Sequence, residues 1–139
     1  MATVIRAEVS EKNKYWIDKH RHYELKHFCL QYPTWKKKYK AFNEMSIFGT
    51  NMDGMPSSNN PSDLTASYAI KKARYSSKID LIEKVALEAD PLLHKYILKA
   101  VTEGLSYTYL KGRLNIPCGK DMYYDRYRRF FWLLSDLKD

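Results

Sequence analysis

Cysteine and long apolar runs are both scarce in this sequence. Its 139 residues include only two cysteines, Cys29 and Cys118, and so few suit a reducing compartment better than a disulfide framework. No stretch of about 18 apolar residues exists for a membrane span, and the N-terminus lacks the apolar segment of a secretory signal. We therefore expect a cytoplasmic protein with no membrane partner.

The sequence also lacks the short motifs of the common enzyme classes. It contains no GxxxxGK[ST] or GxGxxG phosphate cradle, no HExxH and no GxSxG. Carboxylate pairs such as Glu83 and Glu88, or Asp121 and Asp125, fall on predicted helix surfaces, where solvated structural roles are commoner than acid-base catalysis. We expect a protein without enzymatic activity and without a cofactor.

A histidine-rich segment raises the possibility of a zinc site. Imidazole and thiolate are the usual zinc ligands, and His20, His22, His27 and Cys29 lie close together in the sequence. On a helix, however, His20 pairs with His27 and His22 with Cys29 at i+7, which is too far for one tetrahedral site. The spacing favours histidines at the edge of a core and predicts no metal.

The most informative bulk property is the charge. The chain carries 24 Lys and Arg against 16 Asp and Glu, giving a net charge of +8, while 45% of its residues are hydrophobic. A folded basic protein is attracted to a polyanion, and nucleic acid is the commonest polyanion inside cells. Charge alone does not distinguish DNA from RNA or from an anionic membrane.

Helical periodicity dominates the chain, and no strand pattern competes with it, so we predict an all-α fold with about six helices. The first helix is expected from about Glu11, capped by Ser10, to Gln31. Three segments follow from the composition: a basic helical hairpin over residues 1–45, a linker or long loop over 46–61, and a helical unit over 62–139. The predicted core-facing stripe of the first helix comprises Trp16, His20, Tyr23, His27 and Leu30.

The segment from Ser106 to Leu134 has the pattern of a helix-turn-helix. Ser106 is a good N-cap after Gly104, and a short helix is predicted to Leu114. The turn that follows, NIPCG, has an asparagine that tolerates the left-handed conformation, an apolar isoleucine, and a proline and a glycine that stop the helix. A second helix is predicted from its apolar stripe of Tyr123, Tyr127, Phe130, Phe131 and Leu134.

Basic residues beside that stripe are the candidate DNA contacts. Guanidinium groups can clamp phosphates or pair with guanine edges, which makes Arg126, Arg128 and Arg129 the leading candidates, with Lys120 beside them. Tyr124 lies off the stripe and can donate to a phosphate or pack on a base. A second patch, expected to add affinity without sequence preference, comprises Lys36, Lys37, Lys38 and Lys40. Both groups can equally be the solvated faces of amphipathic helices.

Two resemblances rest on these residues. Ser106-Tyr107, Leu110, Leu114, Ile116-Pro117 and Gly119 resemble the promoter-reading end of bacterial sigma factors, although Asn115 stands where that pattern usually has glycine. The chain over about residues 12 to 135 resembles the ArpU/RinA type of phage late-transcription regulator. That resemblance implies a protein that binds double-stranded DNA upstream of a promoter and recruits host RNA polymerase to late or packaging genes.

Other interpretations of the sequence remain open. A recognition subunit for phage DNA packaging would also carry a helix-turn-helix on a basic all-α chain. A protein-interaction module could instead grip an acidic host protein with its aromatic and basic C-terminal helix. A homodimer that reads two half-sites is the geometric expectation for many such modules, while sigma-like readers also act as monomers.

Overall fold

The computed structural model describes residues 11–47 and 61–139, which are predominantly helical. No strand occurs in these two ranges, so the all-α prediction is confirmed. The predicted Ser10 cap and most of the predicted 46–61 linker lie outside the described residues. Six helical segments follow one another: α1 (Lys19–Leu30), α2 (Tyr32–Ile47), α3 (Pro61–Ala89), α4 (His94–Glu103), α5 (Tyr107–Leu114) and α6 (Lys120–Leu137).

The helices form two compact units whose limits differ from the predicted segments. Among the described residues, 11–31 and 81–139 make the first unit, and 32–47 together with 61–80 make the second, called here the α2–α3 hairpin. Helix α1 belongs to the first unit because it packs on α4 and α6. The N-terminal segment is therefore divided, with α1 joining the C-terminal helices and α2 pairing with the first part of α3.

Helix α1 begins later than the sequence predicted. Residues 11–15 form turns, and the helix starts at Lys19 after Asp18. The Asp18 carboxylate accepts a hydrogen bond from the backbone N–H of His20 at 3.0 Å, which satisfies one free donor of the first turn. An N-cap inside the predicted helix thus sets its true start, and the predicted start at Glu11 is wrong.

The predicted core-facing stripe of α1 is also wrong. His22, Leu25 and Cys29 are the buried residues of this helix, whereas predicted members of the stripe such as His20 and Tyr23 are exposed. The buried residues are spaced i, i+3 and i+7, so they too share one face. This face packs against α6, where the Phe131 ring meets the His22 ring edge-on at 4.8 Å.

The core of the first unit is built from one face of each surrounding helix. The end of α3 contributes Ile82, Val85 and Ala86, which are buried, whereas Ile70, earlier on the helix, is 54% exposed. Large aromatic and aliphatic side chains fill the space between the helices. The fully buried ones include Leu25, Ile82, Val85, Ile97, Leu110, Ile116, Tyr123, Phe130, Phe131 and Leu134.

Asp90 caps the turn between α3 and α4, which precedes the start of α4 at His94. Its Oδ1 atom accepts from the backbone N–H groups of Leu92, at 2.8 Å, and Leu93, at 3.1 Å. Helix α4 then ends at Gly104, whose φ of +71° lies in the left-handed region that glycine adopts without strain. Helix α4, which supports α5 and α6, therefore lies between the Asp90 turn and Gly104.

The α2–α3 hairpin packs through aromatic side chains. The ring of Phe42 contacts those of Tyr68, at 5.5 Å, and Tyr75, at 6.0 Å between centroids. Lys72 donates to the Asn43 side chain at 2.8 Å. Because later residues of α2 meet earlier residues of α3, the two helices run antiparallel.

Two simpler expectations can be compared with the structure. Cys29 and Cys118 are both free thiols, and Cys29 is buried. Within residues 11–47 and 61–139, no helix is both long and apolar enough to span a bilayer. The same residues contain no group of three or more His, Cys, Asp or Glu side chains placed to hold a metal ion.

Candidate nucleic-acid interface

Helix α5 has the limits that the sequence predicted. The Ser106 hydroxyl accepts from the backbone N–H of Tyr109 at 3.1 Å, and Leu110 is buried on the inner face. At the other end Asn115 has a φ of +55°, and its N–H donates to the Leu110 carbonyl. Asparagine tolerates this left-handed conformation better than most residues, so it can replace a glycine here.

A buried side chain and several hydrogen bonds hold the connection between α5 and α6. The Ile116 side chain is buried, and its N–H donates to the Leu110 carbonyl at 3.1 Å. The Cys118 N–H donates to the Ile116 carbonyl at 2.9 Å, while the Tyr107 hydroxyl donates to the Cys118 carbonyl at 2.8 Å. Helices α5 and α6 are thus joined by a five-residue turn whose backbone is hydrogen-bonded to α5.

The inner face of α6 is the aromatic stripe that the sequence predicted. Tyr123, Phe130, Phe131 and Leu134 are buried, and Tyr127 is mostly covered. Burial raises the pKa of the Tyr123 and Tyr127 phenols, which keeps both neutral. The predicted DNA contact Tyr124 packs edge-on against Tyr123 at 5.1 Å and is only half-exposed.

Arg126 is engaged inside the first unit. Its Nε donates to Oδ2 of Asp90 at 2.9 Å, and another guanidinium nitrogen donates to Asp125. Burial alone would raise the pKa of Asp90, but hydrogen bonds from Leu92 N–H, Arg126 and Leu93 N–H outweigh it, and the pKa is lowered. Both groups are therefore charged, and the arginine joins α6 to the turn before α4.

Arg128 and Arg129 have different surroundings. The Nε atom of Arg128 is buried and has no hydrogen-bond partner in the described part of the chain. Arg129 donates only to neutral oxygens, at 3.4 Å to the Tyr15 hydroxyl and at 3.5 Å to the Glu88 carbonyl. Neither guanidinium is neutralised by a carboxylate among the ion pairs of the described residues.

Arg126 and Arg129 line an open groove rather than the start of α6. The groove has a volume of about 610 Å³, and its walls are largely apolar. Leu92 is 84% exposed there, and Met122 is 43% exposed. The remaining walls come from Tyr15, Glu88, Ala89, Asp90 and Pro91. The structure thus separates these two arginines from Lys120, which is exposed at the first position of α6.

Two exposed cations on α5 were missed in the sequence. Lys111 and Arg113 flank Gly112. A Cβ atom added at this glycine would have open space around it, with no neighbouring atom within 4 Å. Together with Lys120, these two residues are the exposed cations of the two helices, and we call this set the α5–α6 face. The sequence signal was two basic residues in the last turn of α5, which is weak in a helix of eight residues.

The predicted lysine patch lies on α2, in the other unit. Lys36, Lys37, Lys38 and Lys40 are all exposed. The ammonium of Lys36 lies 5.6 Å from the centroid of the Tyr32 ring, and that of Lys38 lies 5.8 Å from that of Tyr75. Such cation–π contacts hold an ammonium in place without neutralising it.

Comparison with known proteins adds no relative. No family model matches the chain, and no curated protein or solved structure is significantly similar to it. The function of the chain is therefore inferred from the geometry of α5, its turn and α6, and from the distribution of charge.

Proposed function

We propose that this chain is a sequence-specific double-stranded DNA-binding regulator of phage or prophage transcription, with α5, the turn and α6 as its helix-turn-helix. The observation that carries this proposal is the fixed turn between two helices, with cations on the α5–α6 face. Lys111 reaches only one backbone oxygen, at 3.5 Å. Arg113 and Lys120 have no ion-pair partner in the described residues.

The start of α6 is the element placed to enter the major groove. In helix-turn-helix proteins the N-terminal residues of the second helix contact base edges while the first helix crosses the backbone. Lys120 lies at that start and can donate to guanine, and Lys111 and Arg113 on α5 are suited to phosphate contacts. A positive helix N-terminus adds to the attraction for phosphate.

The three arginines take separate roles under this proposal. Arg126 holds α6 against Asp90, so its loss acts through stability. Arg128 and Tyr124 remain candidate contacts, because both are partly exposed on the first half of α6. Arg129 faces the groove with Leu92 and is assigned to a protein contact instead.

A transcriptional role also needs a protein partner, and the groove supports one. Exposed apolar side chains such as Leu92 favour an apolar partner surface, and the Arg129 guanidinium favours a carboxylate. We propose that the groove takes an acidic, apolar segment of a partner such as host RNA polymerase. The same surface would serve the second candidate function, an interaction module without DNA binding.

Selection from a pool of random duplexes tests the proposal. Successive rounds of binding by the full chain should enrich one sequence, whose affinity should exceed that of random DNA. Replacing both Arg113→Gln and Lys120→Gln should reduce that affinity at least about 30-fold, since each good base or phosphate contact contributes about 1–3 kcal/mol and two are lost.

The matched control is Lys84→Gln together with Lys95→Gln. Both lysines are exposed in the first unit, away from α5 and α6, and the net charge falls equally. The control should bind the enriched duplex as the unaltered chain does, apart from a small decrease common to all duplexes. Failure to enrich any sequence, or an equal decrease in both variants, would remove the helix-turn-helix assignment and leave the interaction module.

A further inference from the structure

A row of cations on one side of the α2–α3 hairpin forms a surface that the sequence did not reveal. Lys71, Arg74 and Lys78 on α3 are spaced i, i+3 and i+7, so they lie on one face of the helix. Tyr75 lies between Lys71 and Lys78 on that surface, and Lys38 of α2 places its ammonium over the Tyr75 ring. We call these four cations the cationic flank.

We propose that the cationic flank binds the phosphodiester backbone of duplex DNA, independently of sequence. This inference rests on the proposed function and deepens it, because it names the surface that supplies affinity without base recognition. The predicted lysine patch on α2 included Lys38 but none of the three cations on α3, so the proposed surface differs from the predicted one.

Aromatic rings position two of the four cations. The Lys38 ammonium lies 5.8 Å from the centroid of Tyr75, and the Lys78 ammonium lies 5.2 Å from that of Trp35. A lysine held against a ring loses less side-chain freedom when it meets a phosphate than a fully mobile one does. The ring leaves the charge intact, so the ammonium still attracts an anion.

No carboxylate neutralises the flank within the described residues. Lys71 and Arg74 are exposed and form no ion pair in that part of the chain. Asp80 follows Lys78 by two residues, and residues two apart on a helix do not face each other. The described residues of the hairpin include eight basic ones and three acidic ones, Glu44, Asp63 and Asp80. Their positive charge is therefore available to a ligand.

The spacing of the flank suits a nucleic-acid backbone. Seven residues separate Lys71 from Lys78, which is about 10 Å along the helix. One strand of a duplex presents about three phosphates over that length. Three cations on α3 can thus match successive phosphates, whereas Lys37 and Lys40 point away from the aromatic face that α2 shares with α3.

The salt dependence of binding to a random-sequence 30-base-pair duplex tests the proposal. Removing one phosphate contact should flatten the slope of log K against log salt by about 0.9. The variant Lys71→Gln/Arg74→Gln/Lys78→Gln should therefore flatten the slope by about 2 to 3. The control Lys19→Gln/Lys84→Gln/Lys95→Gln removes the same charge from the first unit and should flatten it by less than about 1.

A second variant separates binding from folding. Because Lys78 contacts Trp35, its replacement can disturb the hairpin, so Lys71→Gln/Arg74→Gln is measured beside it with thermal unfolding by circular dichroism. This variant should keep the unaltered melting temperature and still flatten the slope by about 2. Equal slopes for this variant and the unaltered chain would overturn the proposal.

Two further arms identify the ligand and separate the two proposals. At equal charge, poly-glutamate should displace the duplex from the unaltered chain far less well than a second duplex does; equal displacement would overturn the inference, because the flank would then bind any polyanion. If no sequence is enriched but the flank variants flatten the slope, the flank assignment stands while the proposed function fails. If a sequence is enriched and the flank variants keep the full slope, the proposed function stands and the flank assignment fails.

Discussion

The arginines of the first unit and the lysines of the α2–α3 hairpin are used in different ways. In the first unit, arginines act as structural connectors: Arg21 donates to the carbonyls of Ser135 and Lys138 at the end of α6, and Arg126 donates to Asp90 and Asp125. In the α2–α3 hairpin, lysines lie over aromatic rings, as Lys38 does over Tyr75, and keep their charge. The planar, multiply donating guanidinium suits the first use, and the flexible ammonium suits the second.

The comparison shows that net charge does not locate a binding surface. The described part of the first unit has fifteen basic and eleven acidic residues, whereas that of the shorter hairpin has eight and three. Arginines that look available in the sequence are partly used to hold α6 in place. The strongest unneutralised charge therefore belongs to the hairpin, and the α5–α6 face has only a few exposed cations.

The largest expected effect sharpens the difference in packing between the units. Phe131→Ala removes a fully buried ring between α6 and α1 and should lower the free energy of unfolding by about 3–5 kcal/mol. Phe42→Ala removes a half-buried ring from the hairpin and should cost less than half as much. Urea denaturation followed by circular dichroism measures both, and equal decreases would contradict the comparison.

The second-largest expected effect tests the contact that joins Arg126 to Asp90. Asp90→Asn keeps an acceptor for the Leu92 and Leu93 N–H groups but removes the charge that holds Arg126. Its free energy of unfolding should fall by about 2 kcal/mol at neutral pH. The control is Asp125→Asn, which changes a more exposed carboxylate that accepts from the same arginine. It should lower the free energy of unfolding by less.

The pH dependence of that effect follows from the pKa of Asp90. Burial raises this pKa, but the N–H groups of Leu92 and Leu93 and the Arg126 guanidinium lower it below its ordinary value. A lowered folded pKa gives stability that is present above the unfolded pKa of about 3.9 and lost as pH falls through the folded pKa. The difference between the unaltered chain and Asp90→Asn should therefore shrink below about pH 4 in urea titrations. A difference that stays constant down to pH 2 would contradict this assignment.

The smallest effect tests the lysine side of the comparison. Lys38→Gln removes one cation–π contact from the hairpin and should lower the free energy of unfolding by about 0.5 kcal/mol. Lys37→Gln, which has no ring partner in the described residues, should change it less. A decrease above about 2 kcal/mol for Lys38→Gln would mean that this lysine is a structural connector like Arg126.

Local signals predicted the second half of the fold well. The Ser106 cap, the left-handed Asn115 and the buried Ile116 each depend on a few neighbouring residues, so the limits of α5 and the start of α6 follow from the sequence. The aromatic stripe of α6 was also predictable, because five large side chains at helical spacing favour one buried face. These are the features that the proposed helix-turn-helix depends on.

Contacts between distant residues explain what the sequence did not predict. Two faces of α1 are equally plausible by spacing, and packing on α4 and α6 buries His22, Leu25 and Cys29, with the Phe131 ring contributed from more than one hundred residues later. Arg126 looked like a free DNA contact because its partner Asp90 lies 36 positions away. The cationic flank was missed for the same reason, since Lys38 joins it only through the ring of Tyr75.

The packing of α1 on α6 has a consequence for synthesis on the ribosome. About 90 residues separate the end of α1 from the start of α6, which corresponds to roughly 5–20 s of translation. Throughout that interval α1 lacks α6, one of the two helices on which it packs, whereas the two helices of the hairpin emerge close together and can pair early. A nascent chain would therefore expose its lysine-rich surface before its α5–α6 face exists and before α1 is fully packed.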